Sequence, residues 1–161
     1  NSRGSIVRQS KVEGFPPYAN RGDGNNRFVM TGTRLPCLPT PWGEMNAVDM
    51  RTGKIVWRSV LGVTDELPEA INKTGRPSMG GAIATAGGLV FVGATDDGRF
   101  RAFDSANGRE LWTVKLVASA HATPISYRAS GRQFVAIAAT GGGFLGTPLT
   151  GDAITAFALP R

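Results

Sequence analysis

The stretch AFDSANGRELW, residues 102–112, reads as a strand, a tight turn and a second strand, and AVDMRTGKIVW at residues 47–57 repeats it. In register, Ala47 falls on Ala102, Asp49 on Asp104, Gly53 on Gly108 and Trp57 on Trp112, with Gly43 on Gly98 upstream. The spacing is about 55 residues, and a third partial copy begins in DAITAFALP, where Ala156 takes the place of Ala102. A fixed period of this size marks a repeat architecture.

Each copy has a local physical logic. GRFRAFD alternates, so Phe100, Ala102 and Asp104 share one face and Arg99, Arg101 and Phe103 the other. DSANG supplies turn formers, and Gly108, like Gly53, stands where the turn needs positive φ. RELWTVKL returns as the partner strand, and the recurrence of Trp57 and Trp112 in it predicts a large ring wedged between neighbouring repeats. Upstream, GAIATAGGLVFVGATDDG holds two short strands, 82–85 and 89–94, split by Gly87 and Gly88, so residues 82–116 make a four-stranded antiparallel unit. The next unit offers three strands, ATPISY, RQFVAIAA and DAITAFALP. The first unit offers weak strands near 5–9 and 27–31 before a firm pair at 44–49 and 54–60.

Composition agrees with an all-β chain of short elements. There are 22 glycines and 10 prolines in 161 residues, with 41% hydrophobic and 19% charged residues, enough to bury a core. The prolines concentrate in segments 10–26, 32–43 and 62–80, which read as loops. Four-stranded sheets at this period point to a β-propeller. The chain supplies about three blades, spanning 1–62, 78–117 and 120–160 with the last incomplete, whereas a ring needs four or more. Uncovered blade faces and a missing strand therefore predict remaining blades in a longer parent chain, or self-association. The chain does not begin with methionine, which fits the same expectation.

Several chemistries lack their minimum parts. No GxGxxG follows a strand, and GxxxxGK[ST], GxSxG and HExxH are absent, so nucleotide, serine-hydrolase and zinc-protease chemistry have no carrier. TGGGFLG has no following helix or lysine to make a phosphate cradle, and neither DDG nor RGDG forms a calcium loop. A single cysteine, Cys37, cannot form an internal disulfide and reads as a plain thiol. The net charge of +6 comes from 18 basic and 12 acidic residues scattered along the chain, which reads as solvated surface and not a nucleic-acid face. No apolar run is long enough to span a bilayer.

Three longer passages, PWGEMNAVDMRTGKIVW, GGAIATAGGLVFVGATDDGRFRAFDSANGRELW and AHATPISYRASGRQFVAIAATGGGFLGT with the later GDAITAFALP, closely resemble the C-terminal portion of pyrroloquinoline quinone (PQQ)-dependent dehydrogenases, particularly the glucose dehydrogenase branch. The resemblance covers residues 41–160. It implies an eight-bladed propeller with PQQ on its axis and calcium beside it. It further implies periplasmic oxidation of a sugar or alcohol, electron transfer to quinone or cytochrome, and possible membrane association through a region outside this chain. The catalytic base and most cofactor and calcium ligands would lie upstream. This chain alone would then carry no catalytic residue and no metal ligand, bind no cofactor and be inactive.

Within the chain, loop ends facing the axis are the candidates for contact with the cofactor. Gly80 and Gly81 precede an inner strand, where absent side chains would let a flat ring approach; a plain loop end is the alternative. Asp97 matches an acidic position of the family and would tune the cation's surroundings, or else be a solvated turn aspartate. Gly142 and Gly143 lie in ATGGGFLGT, where many glucose dehydrogenases carry a histidine at the position of Gly142 and a lysine at that of Pro148. Those departures leave the substrate at sugar or alcohol. The only histidine, His121, would replace a lost polar contact or be structural. The second functional reading is a non-catalytic propeller scaffold that binds proteins through its strand edges.

Overall fold

A computed structural model describes residues 35–36, 38–142 and 149–159. They form nine strands in three antiparallel sheets. The first sheet pairs β1 (Glu44–Asp49) with β2 (Lys54–Val60). The second has the order β3 (Ala82–Ala84), β4 (Leu89–Val92), β5 (Arg99–Asp104) and β6 (Glu110–Lys115). The third contains β7 (Ile125–Ala129), β8 (Arg132–Gly141) and β9 (Thr150–Phe157). The weak strands expected near 5–9 and 27–31, the segment 10–26, Cys37 and Gly143 lie outside the described residues.

The two aligned hairpins share their geometry as well as their letters. Each register shifts by one residue, between Ala47 and Val48 in the first and between Ala102 and Phe103 in the second. Gly53 and Gly108 have φ of 68° and 73°, the left-handed conformation that the turn demands. Asp104 organises its turn by accepting from the Ala106 N–H at 2.8 Å and the Asn107 side-chain amide at 2.9 Å. Asp49 accepts from the Arg51 N–H in the same way. Strand β4 stops at Val92, short of the expected residue 94, because Ala94 has a φ of 63° and cannot continue a strand.

The sheets pack face to face. Between the first and second lie Leu61, Val92, Ala94 and Phe103, with Met45 and Val90 against them. Between the second and third lie Phe100, Ala120, Val135, Ile137 and Ala139. Strand β5 is thus covered on both sides, Phe100 toward the third sheet and Phe103 toward the first, as its alternation predicts.

The tryptophans sit in the seams. Trp57, on β2, donates its indole N–H to the Ser105 carbonyl at 2.9 Å and lies against Gly108, at the hairpin tip of the next sheet. Ser59 donates to the Gly108 carbonyl beside it. Trp112, on β6, meets Phe157 of β9 edge to face at 5.1 Å and Phe100 at 5.8 Å.

The segment 62–80 is a loop apart from a 3-10 turn at Glu69–Ile71. It folds back on the first sheet, where Trp42 donates to the Thr74 carbonyl and Arg76 to that of Leu61. Among the described residues no helix is long and apolar enough to cross a membrane.

Candidate functional site

One end of the second sheet collects Gly80, Gly81, Asp97 and His121, while Gly142 follows β8 of the third sheet. There β3 begins, β4 ends, the 93–98 turn leads into β5, and β7 of the third sheet begins alongside. Gly80 lies against the carbonyl of His121, and a Cβ on it would come within 2.5 Å of that oxygen. A Cβ on Gly81 would come equally close to Thr123 Oγ1. The space left by these two absent side chains is therefore filled by the chain itself. It brings the first strands of successive sheets together and does not stand open as a recess.

Ala94 is the hinge of this junction. Its N–H donates to the Ala120 carbonyl at 2.6 Å, and its own carbonyl accepts from the Met79 N–H at 2.8 Å. His121 Nδ1 stands 3.2 Å from the same carbonyl. Its other nitrogen, Nε2, is enclosed and has no partner among the described residues. Nearby, the Gly141 N–H donates to the Ser119 carbonyl, and the Gly142 N–H to Leu149 O at 3.2 Å.

Asp97 is neither a solvated turn residue nor an open ligand. Its side chain is 2% exposed and is gripped by Arg101, itself 1% exposed. It also accepts from Thr95 Oγ1 at 2.7 Å, from the Arg99 N–H at 3.2 Å and from the Val63 N–H at 2.8 Å. Burial pushes the Asp97 carboxyl up, but the Arg101 guanidinium together with the Thr95 and Val63 donors outweighs it and holds the group below the ordinary aspartate value. The Val63 bond matters for architecture, since it ties the segment after the first sheet to a turn of the second.

A second carboxylate beside it, Asp96, receives Arg76 in a bidentate pair at 2.7 and 2.9 Å. Farther out, Arg99 reaches Asp65 at 2.7 and 3.1 Å, and Lys115 reaches the same carboxylate at 2.9 Å. The basic residues expected on solvated surface are, in this cluster, counter-ions of the sheet-to-sheet junction. Arg101 was legible in outline. Alternation puts it on the face of Phe103, where a charge demands a partner, and Asp97 lies four residues away.

The Arg99 guanidinium, then burial in the opposite sense, then Lys115 set the Asp65 carboxyl, which is held down to about 2. With its folded value below the ordinary 3.8, its contribution is whole above that value and drains as pH falls through about 2. Asp65 is 42% exposed, so Asp65→Asn should lower stability by only about 0.5–1 kcal/mol, and less in high salt. Urea titrations in low and high salt read this, and a cost above about 2 kcal/mol would contradict a solvent-screened pair.

Among the described residues no group of three His, Cys, Asp or Glu side chains is placed to hold a metal ion. What the arrangement can do chemically is narrower. It presents a rigid junction, locked by buried ion pairs, with one bare imidazole nitrogen.

The family model described as "Glucose/ethanol/alcohol dehydrogenase, beta-propeller domain", of the PQQ type, matches residues 4–135. Quinoprotein glucose dehydrogenase A of Acinetobacter calcoaceticus is 44% identical over 131 residues, which is 78% of this chain and 16% of that protein. Quinate/shikimate dehydrogenase (quinone) of Acinetobacter baylyi is 39% identical over 158 residues, or 93% of this chain and 19% of the relative. The crystal structure of quinohemoprotein alcohol dehydrogenase from Comamonas testosteroni superposes with a TM-score of 0.55 at 27% identity, covering 71% of this chain and 16% of that one. The chain thus spans less than a fifth of the length of these relatives.

Proposed function

This chain belongs to the PQQ-dependent glucose/ethanol/alcohol dehydrogenase β-propeller family, and from that membership we propose that it is the C-terminal part of a periplasmic quinoprotein dehydrogenase. The parent oxidises a sugar or alcohol and passes the electrons to quinone or cytochrome. The observation that carries this reading is the family match across residues 4–135, most of the chain. Further blades of the parent would cover the outer faces of the first and third sheets, where Val56, Ile125 and Ile154 are exposed.

PQQ and calcium belong to the proposal for the whole enzyme. The described residues do not fit a cation cage, because Asp97 is saturated by Arg101, Thr95, Arg99 and Val63. No step through a cation is derived from them. For PQQ the described residues form no open seat, since the volume beside Gly80 and Gly81 is taken by His121 and Thr123; contact of the cofactor with Gly80, Gly81, His121, Gly142 or Gly143 belongs to the proposal for the whole enzyme. Bound PQQ would supply the two-electron oxidising chemistry. The part of this chain is positional: Asp97 and Arg101 hold the 93–98 turn, and the turn holds Ala94 against His121.

The test is the full-length parent, supplied with PQQ and calcium and assayed by dye reduction with glucose, quinate, glycerol and 1-propanol. Turnover of at least one substrate is expected, and none by the 161-residue chain alone. A PQQ-loaded parent that reduces no dye with any of them would sink the dehydrogenase reading.

A further inference from the structure

The hairpin tip that Trp57 covers carries the only Asn-Gly pair of the chain, Asn107-Gly108. Asparagine is chemically labile, and most so before glycine, because no side chain shields the following backbone nitrogen and the glycine turns freely. That nitrogen can then attack the asparagine side-chain carbon. The two residues differ in exposure: Asn107 stands in water, while Gly108 is buried against the Trp57 ring. In the aligned hairpin Thr52 takes the place of Asn107, and the space around Gly53 is open. Of the two tips, the reactive pair sits in the one that is docked.

Each reacting atom is committed to a hydrogen bond. The Gly108 N–H, whose proton must leave before the nitrogen attacks, donates to the Asp104 carbonyl at 2.8 Å. The Asn107 side-chain nitrogen, which is the leaving group, donates to Asp104 Oδ2 at 2.9 Å, and Asn107 Oδ1 accepts from the Arg109 N–H at 2.9 Å. From the neighbouring sheet, Ser59 donates to the Gly108 carbonyl and Trp57 to the Ser105 carbonyl, so β2 holds both ends of the turn.

We propose that Asn107 is a deamidation site gated by the Trp57 seam, inert while the first sheet is docked on the second and reactive once the two part. In the open hairpin the Gly108 nitrogen gives up its proton and bonds to Asn107 Cγ, the Cγ–Nδ2 bond breaks, and ammonia leaves behind a five-membered succinimide. Water then opens the ring at either carbonyl, giving aspartate or isoaspartate at residue 107, with no oxidant or reductant required. Both products weaken the joint. Each sets a carboxylate where the Asn107 amide had donated to Asp104, and isoaspartate also inserts a methylene into a turn closed by the bond from Gly108 to Asp104, which shifts Gly108 away from the indole. An opening of the seam is thereby made permanent. The proposal needs only the folded hairpin and is independent of the dehydrogenase reading.

The experiment incubates the full-length parent protein at mildly alkaline pH, folded and in urea, and follows the mass of peptide 102–109, which trypsin frees by cutting after Arg101 and Arg109. Asn107 is the only side-chain amide in that peptide, so an amide-to-acid mass gain reports this site alone. The folded protein should deamidate there about tenfold or more slowly than the unfolded one, because the reaction waits on local opening. Ser59→Ala, which removes one bond to Gly108 and keeps the indole, should speed the folded rate about threefold or more and leave the rate in urea unchanged. Trp57→Ala should bring the folded rate to within about threefold of the rate in urea. If Trp57→Ala fails to fold, Ser59→Ala decides alone. Equal rates for folded and unfolded wild type, or a folded rate that Ser59→Ala does not raise, overturn the proposal. Isoaspartate in the modified peptide is the expected mark of the succinimide route, and aspartate alone would mean direct hydrolysis and refute it.

Discussion

Replacing Asp97 by Asn is expected to destabilise the chain by about 3–5 kcal/mol, the range for removing one partner of a buried ion pair. The substitution keeps the shape and the Thr95 contact but leaves Arg101, 1% exposed, with Glu110 at 3.3 Å as the one carboxylate among the described residues to offset its charge. Glu110 is 42% exposed and therefore a weak substitute. The cost should fall substantially when Arg101→Met is added, since removing both charges also removes the orphan. Urea unfolding followed by tryptophan fluorescence measures both variants, and a loss below about 1 kcal/mol for the single substitution would mean that water reaches the guanidinium. The pH dependence gives an independent check. Because the Asp97 carboxyl titrates below the ordinary 3.8 in the folded chain, its contribution is complete above that value and is lost as pH falls through the folded one. Wild type should therefore weaken on acidification through that window more steeply than Asp97→Asn.

The second large effect separates two glycines that occupy the same place in the repeat. Gly53 and Gly108 both have positive φ, so an alanine at either meets backbone strain of about 1–2 kcal/mol. Around Gly53 there is open space, and Gly53→Ala should cost no more than that strain. At Gly108 the new methyl group would run into the Trp57 ring and the Ser59 hydroxyl, whose positions are set by hydrogen bonds to Ser105 and Gly108. Overpacking adds about 1–3 kcal/mol, so Gly108→Ala should cost about 2–5 kcal/mol in total. Comparable losses for the two variants in urea unfolding would show that the indole does not lock the seam.

Much of this fold was readable from local chemistry. The 44–49 and 54–60 strands, the hairpin glycines and the seam position of the tryptophans all follow from alternation, turn residues and repetition, which act over a few residues. The strand end at Val92 was not readable, because the positive φ of Ala94 is imposed by Ala120 and Met79, distant in sequence and close only after folding. The site was less legible for the same reason. DDG reads as an exposed turn until Val63, 34 residues earlier, is brought onto Asp97 and Arg101 closes over it. The glycine pair at 80–81 suggested open room for a ring, yet that volume is claimed by His121 and Thr123, which no neighbouring residue announces.

The indole of Trp57 does not grip its own hairpin; it grips the tip of the one that follows. A unit built this way carries the socket for its predecessor and the plug for its successor, so copying it in tandem creates a matched joint at every boundary with no fresh invention. Lengthening such a ring by gene duplication requires only that the outermost plug find a socket, which is a problem of closure and not of design.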